Sequence, residues 1–138
     1  MAKSAQLARL QQRLDAIPKA VKKAVEPALK KSGDEMAASM RHLAPVDTGE
    51  LRDSIEVTAP GQSTPRYSQP GGSREAAENE VLITAGNSDV RYAHLVEYGT
   101  ADTEAQPFFW PAFRLNRKRA TNRIKRAISK AVKENWGK

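Results

Sequence analysis

Between Leu7 and Leu43 apolar side chains return every three or four residues, and that spacing admits one backbone, an amphipathic helix. Leu7, Leu10, Leu14, Ile17 and Val21 form a single stripe, and Val25, Leu29, Met36, Met40 and Leu43 continue it toward a core. Pro18 interrupts the stripe. Proline fits best in the first turn of a helix, so the pattern predicts one helix ending near Ala16 and a second starting at Pro18. Pro27 and Gly33 inside the second predict a kink or short break. A chain built on such a helix must supply a second apolar surface to cover it.

That surface is expected from the other end. QPFFWPAF, Gln106 to Phe113, holds four of the eight aromatic residues, and Pro111 is placed to begin a last helix. Phe113, Ala120, Ile124, Ala127, Ile128 and Ala131 then make a narrow apolar stripe reaching to about Asn135, on a helix otherwise almost wholly basic. Between the helical ends, Ile55 and Val57 start an alternating pattern through Thr58, and Glu80–Ala85 alternates as a strand buried on both faces. Gly86-Asn87 reads as a turn. Tyr92, Leu95 and Val96 share one helical face, with Gly99 where a helix would stop. The fold class implied is α+β, a small antiparallel sheet packed by long N- and C-terminal helices.

The stretch 59–80 has three prolines, three glycines and almost no apolar content. A structureless segment of that length is uncommon in a compact domain, so an extended, flexible arm between two strands is expected, ordering against a neighbouring subunit. We read residues 1–138 as one domain, with helices over 1–43, a sheet region over 44–100 and the aromatic motif with the basic helix over 106–138.

Composition narrows the chemistry. No cysteine is present, which removes disulfides and thiolate ligands. No signal-peptide run or membrane-spanning apolar stretch is visible, which implies a soluble protein made in a cytoplasm. The net charge of +7 is unevenly spread. Residues 1–44 carry nine Lys/Arg against four Asp/Glu, residues 45–100 four against nine, and residues 101–138 ten against three. A subunit that associates with its own copies could use both signs, and so could a protein that shows a basic helix to nucleic acid.

Three sets of residues bear on chemistry. His94 and Glu97 stand at His-x-x-Glu spacing, but a metal site needs a further ligand such as Asp89 or Asp47, and no zinc spacing exists. His94 is expected at the surface or an interface, with Glu97 capping or pairing locally. Asp47, Glu50 and Asp53 would make an acid–base cluster, yet Asp47 followed by Glu50 three residues later is accounted for by helix capping. No phosphate loop or nucleophile motif is present, so no enzyme activity and no cofactor are expected. Phe108, Phe109 and Trp110 could stack on bases but are expected in the core or an interface.

Three segments together carry a likeness. APVDTGELRDSI (Ala44 to Ile55), YAHLVEYGT (Tyr92 to Thr100) and QPFFWPAF resemble the tail-completion or neck proteins of long-tailed phages, relatives of the tenth gene product of phage Hong Kong ninety-seven. The resemblance implies a structural virion protein that joins a DNA-filled head to its tail as one copy in a ring of six or twelve. Its partners would be its own copies and other neck proteins (adaptor, stopper, tail terminator or tail tube). It marks Pro45, Asp47, Thr48, Gly49, Leu51, Glu97, Gly99, Thr100, Pro107, Phe108 and Pro111 as residues that shape fold and interface. Arg114, Arg117, Lys118, Arg119, Arg123 and Arg126 would then face partner subunits or the phosphates of DNA in the channel. The competing reading is a small basic nucleic-acid-binding protein outside any particle; a host-cell adaptor or toxin-like regulator ranks third.

Overall fold

The computed structural model describes residues 2–46 and 48–136. Its elements are α1 (Ala2–Leu43), α2 (Glu50–Asp53), β1 (Glu56–Thr58), β2 (Leu82–Thr84), α3 (Ala93–Tyr98) and α4 (Phe109–Trp136). For positions 2–8 and 10–18 the helical backbone alone is described, so the expected packing of Leu7, Leu10, Leu14 and Ile17 lies outside the described side chains. The α+β class is as expected, with two long helices and a two-stranded antiparallel sheet.

The expected break at Pro18 is absent, because α1 runs through it without interruption. Proline removes one amide donor and sets its ring against the carbonyl four residues back, a cost of about 3 kcal/mol that α1 bears without ending. Pro27 lies on the exposed side of the same helix, where the freed carbonyl can meet water. No break occurs at Gly33 either, since α1 is continuous there. The residue marks a crossing, since a Cβ there would stand 2.9 Å from Val81 Cγ1 and 3.0 Å from Val57 Cγ1. The helix carries glycine so that the sheet can lie directly against its backbone.

Helices α1 and α4 pack antiparallel. Asn116 Nδ2 donates to Ser39 Oγ at 2.9 Å, and further along α4 Arg123 reaches back to Ser32 and Glu35. Ala37 of α1 and Ala112 of α4 are both fully buried in the core that the two helices share. The core gathers Met36 and Met40 from α1, Leu51 and Ile55 from the α2 region, Ala85, Val90 and Ala93, and Phe108 and Phe109 from the start of α4. Phe108, Met40 and Ile55 are among the largest fully buried side chains, each worth about 1.5–3 kcal/mol of apolar transfer. Leu43, expected in this core, is exposed, as is Ile128 on the last helix.

Strands β1 and β2 pair Glu56 with Thr84, Val57 with Ile83 and Thr58 with Leu82. A sheet of two strands cannot bury both faces, so Leu82 and Ile83 are half-buried, not enclosed as the alternation implied. The expected reaching arm at 59–80 is folded back on itself. Thr64 N–H donates to the Arg74 carbonyl at 2.8 Å and Gly61 N–H to that of Ala76 at 3.0 Å, while Gln69 and Ala85 exchange bonds at 2.8 and 3.0 Å. Thr64, Ser68 and Ala76 are buried within it, and the Arg91 guanidinium lies 3.8 Å from the centre of the Tyr67 ring. Polar bonding replaces the apolar content that this stretch lacks.

Candidate functional site

The first two motif segments lie across one groove. Pro45, Thr48, Gly49, Glu50 and Leu51 line it on one side, Tyr92 and Val96 on the other. Gly49 stands before α2 with φ 88°, a left-handed geometry that glycine adopts at no steric cost. The expected cap by Asp47 lies outside the described residues; Thr48 Oγ1 accepts the Glu50 N–H at 3.3 Å. Leu51 turns into the core. The buried Ser54 hydroxyl donates to the Leu51 carbonyl at 2.6 Å and accepts from Gly86 N–H at 2.9 Å, fixing the end of α2 to the turn before α3.

Helix α3 presents a different face from the one the sequence implied. Its buried positions are Ala93 and Glu97, while Tyr92 and Leu95 are exposed and Val96 is half-buried. Glu97 is the hinge of the arrangement. Its Oε1 accepts N–H bonds from Phe108 at 2.9 Å and Phe109 at 2.8 Å, and its Oε2 accepts from Trp110 at 3.3 Å. A helix opens with amides that have no partner inside it and with the positive end of its dipole. Here a carboxylate eleven to thirteen residues earlier answers three of them, and Pro111, the next residue, has no amide to satisfy. Local capping of Glu97 was expected; the bond it makes is a tertiary one.

The remaining motif residues shape the connection. Gly99 ends α3 with φ 76°, and its N–H donates to the Leu95 carbonyl at 2.8 Å. A Cβ there would stand 2.8 Å from Ala105 N and 3.0 Å from the Thr103 carbonyl oxygen. Thr100 Oγ1 accepts from Thr103 N–H at 3.0 Å, and Gln106 N–H donates to Val96 at 2.8 Å, closing the loop. Pro107 is exposed and Phe108 is only 1% exposed. Edge-to-face contacts run from Phe108 through Phe109 and Trp110 to Phe113, with ring centroids 5.1–6.4 Å apart. Trp110 Nε1–H donates to the Tyr98 hydroxyl at 2.7 Å. Helix α4 starts at Phe109, so Pro111 sits inside its first turn and does not begin it.

Among the described residues no group of three His, Asp or Glu is placed to hold a metal. His94 is exposed and both Glu97 oxygens are committed to α4. Glu50 and Asp53 are exposed on α2. Among the described residues no helix is long and apolar enough to cross a membrane.

The basic residues divide. Arg114, Arg117, Lys118, Arg119 and Arg126 are exposed. Arg123 is engaged within the chain, its Nη2 2.8 Å and Nη1 2.9 Å from the two Glu35 oxygens, with Nη1 also donating to Ser32 at 3.1 Å. The hydrogen bond from Arg123 holds the Glu35 carboxyl below its ordinary value of 4.5, against a smaller opposing effect of desolvation. This pair, the Ser54 link and the Tyr98–Trp110 bond were not anticipated from the sequence. Each joins residues with no spacing signature.

A model of the HK97-gp10-like family, described as "Bacteriophage HK97-gp10, putative tail-component", matches residues 8–99. The matched span includes the first motif and all but the final Thr100 of the second, and it ends before the aromatic motif and α4. No curated protein and no solved structure matches the chain. The match covers well over half of the sequence, and the chain belongs to the HK97-gp10-like family of phage tail components.

Proposed function

We propose that this chain is a non-catalytic virion protein that forms a ring at the head–tail joint of a tailed phage and mediates attachment of head to tail. A member of a tail-component family is a structural part of a phage particle and meets other phage structural proteins there. The observation that supports the finer reading is exposed charge of both signs on one molecule, outside the ion pairs made within the described residues. Arg114, Arg117, Lys118, Arg119 and Arg126 on α4 are exposed, as are Glu50, Asp53, Glu56, Asp102 and Glu104 elsewhere, and none of them makes an ion pair among the described residues. Copies placed side by side bring opposite charges together, which steers association and fixes orientation. A closed ring also covers the exposed apolar groups at the motif segments, Leu43, Val46 and Leu95. Neck partners and a ring of six or twelve copies belong to this proposal.

Light scattering on the purified full chain over a range of concentrations tests it. Discrete oligomers that grow in with concentration are expected. A chain that stays monomeric while binding duplex DNA tightly, with steep loss of binding in salt, would replace this reading by that of a free nucleic-acid-binding protein.

A further inference from the structure

A small pocket of about 50 Å³ opens between α3, the start of α4 and the 59–80 segment, walled by Pro70, Ala93, His94, Tyr98, Phe108 and Trp110. Ligand sites for small molecules usually enclose roughly 300 Å³ or more, so this one suits the tip of a single aliphatic side chain. Its wall is held in place. The Trp110 indole is fixed to the Tyr98 hydroxyl, and Glu97 clamps the backbone of Phe108 to Trp110 from below. The loop joining α3 to α4, which leaves the pocket wall at Tyr98 and returns to it at Phe108, carries Asp102 and Glu104, both exposed and outside every ion pair among the described residues.

Leu115 stands on the other flank of α4. It is 75% exposed, more than any other large apolar side chain described. Trp110 and Leu115 are five residues apart on one helix, which sets them about 140° apart around its axis at 3.6 residues per turn. The socket and the protruding leucine therefore face different sides of the molecule. Around Leu115 stand Arg114, Lys118 and Arg119, all exposed. A protrusion and a socket on different faces of the same chain make a heterologous contact, which passes from copy to copy and closes into a ring when the rotation allows.

We infer that Leu115 of one copy seats in the Tyr98–Trp110 pocket of the next, with the basic residues around it meeting Asp102 and Glu104 at the rim. This contact rests on the ring reading above and names its residues. The apolar tip is the anchor and the charged surround excludes water and sets register.

The chain has no cysteine, so single thiols can report the contact cleanly. Leu115→Cys and His94→Cys chains are purified separately, mixed dilute, concentrated together and exposed to a mild oxidant. A disulfide-linked dimer is expected from the mixture and from neither variant alone. A dimer from Leu115→Cys alone would mean a two-fold symmetric contact and would overturn the inference. So would an uncross-linked mixture that light scattering shows to be assembled, a result that leaves the ring standing. A mixture that stays monomeric throughout removes both. As a second measure, Leu115→Asp should keep the wild-type circular dichroism and weaken assembly by roughly tenfold or more; assembly at wild-type concentrations would count against the contact.

Discussion

Removing the Glu97 carboxylate should cost more stability than any surface acidic residue of the chain. In Glu97→Ala the amides of Phe108, Phe109 and Trp110 lose their acceptor, and the first two belong to residues buried in the core. A buried donor left unmade costs about 1–3 kcal/mol, so two short bonds and one long one give a loss of about 3–5 kcal/mol. Domains of this size are stable by about 5–15 kcal/mol, so the variant should still fold, though marginally. Glu97→Gln keeps the amide oxygen for Phe108 and Phe109, places an NH₂ against Trp110 and gives up the charge at the helix start, a loss of about 1–2 kcal/mol. Urea unfolding followed by tryptophan fluorescence and by circular dichroism measures both. A Glu97→Ala chain within about 1 kcal/mol of wild type would refute the capping argument.

Three further outcomes follow. Gly33→Ala gains about 1 kcal/mol of helix propensity but pushes a methyl into Val81 and Val57, so its melting temperature should fall, and Val81→Ala in the same chain should restore part of it. A more stable Gly33→Ala would mean that the sheet does not lie on the helix backbone. Gly99→Ala puts an L side chain at φ 76° and a Cβ 2.8 Å from Ala105 N, which should destabilise by about 1–3 kcal/mol in chemical denaturation; unchanged stability would speak against that turn. Glu35 has its carboxyl lowered by the Arg123 hydrogen bond, so it contributes stability that is present above pH 4.5 and is lost as pH falls through its lower folded value. In Glu35→Gln that portion of the acid-induced drop in melting temperature should vanish, and an identical pH profile for the two chains would contradict it.

The periodic parts of this fold were legible because helices and strands write themselves into spacing. Met36 and Met40, Val57 and Ile83, and the alanines of α4 could be placed that way. What misled was local punctuation. Pro18 and Gly33 read as breaks, yet a proline's φ suits a helix and a glycine can serve a neighbour's approach as well as a turn. On α3 the apolar count pointed to Tyr92 and Leu95, whereas the inward face carries Glu97, a charged side chain buried because a helix start needs it. No rule of spacing links position 97 to 108–110 or position 35 to 123. Those pairs exist only once the chain has closed, and the three motif segments gave their order along the chain without the bond that joins the last two.

The antiparallel clasp of α1 with α4 ties together segments far apart along the chain, through bonds between residues 77 to 91 positions apart. During synthesis α1 emerges before α4 and waits for its cover until residues 109–136 have been added. A product cut short of α4 therefore displays a bare apolar helix and lacks the basic surface, which makes it a target for proteases.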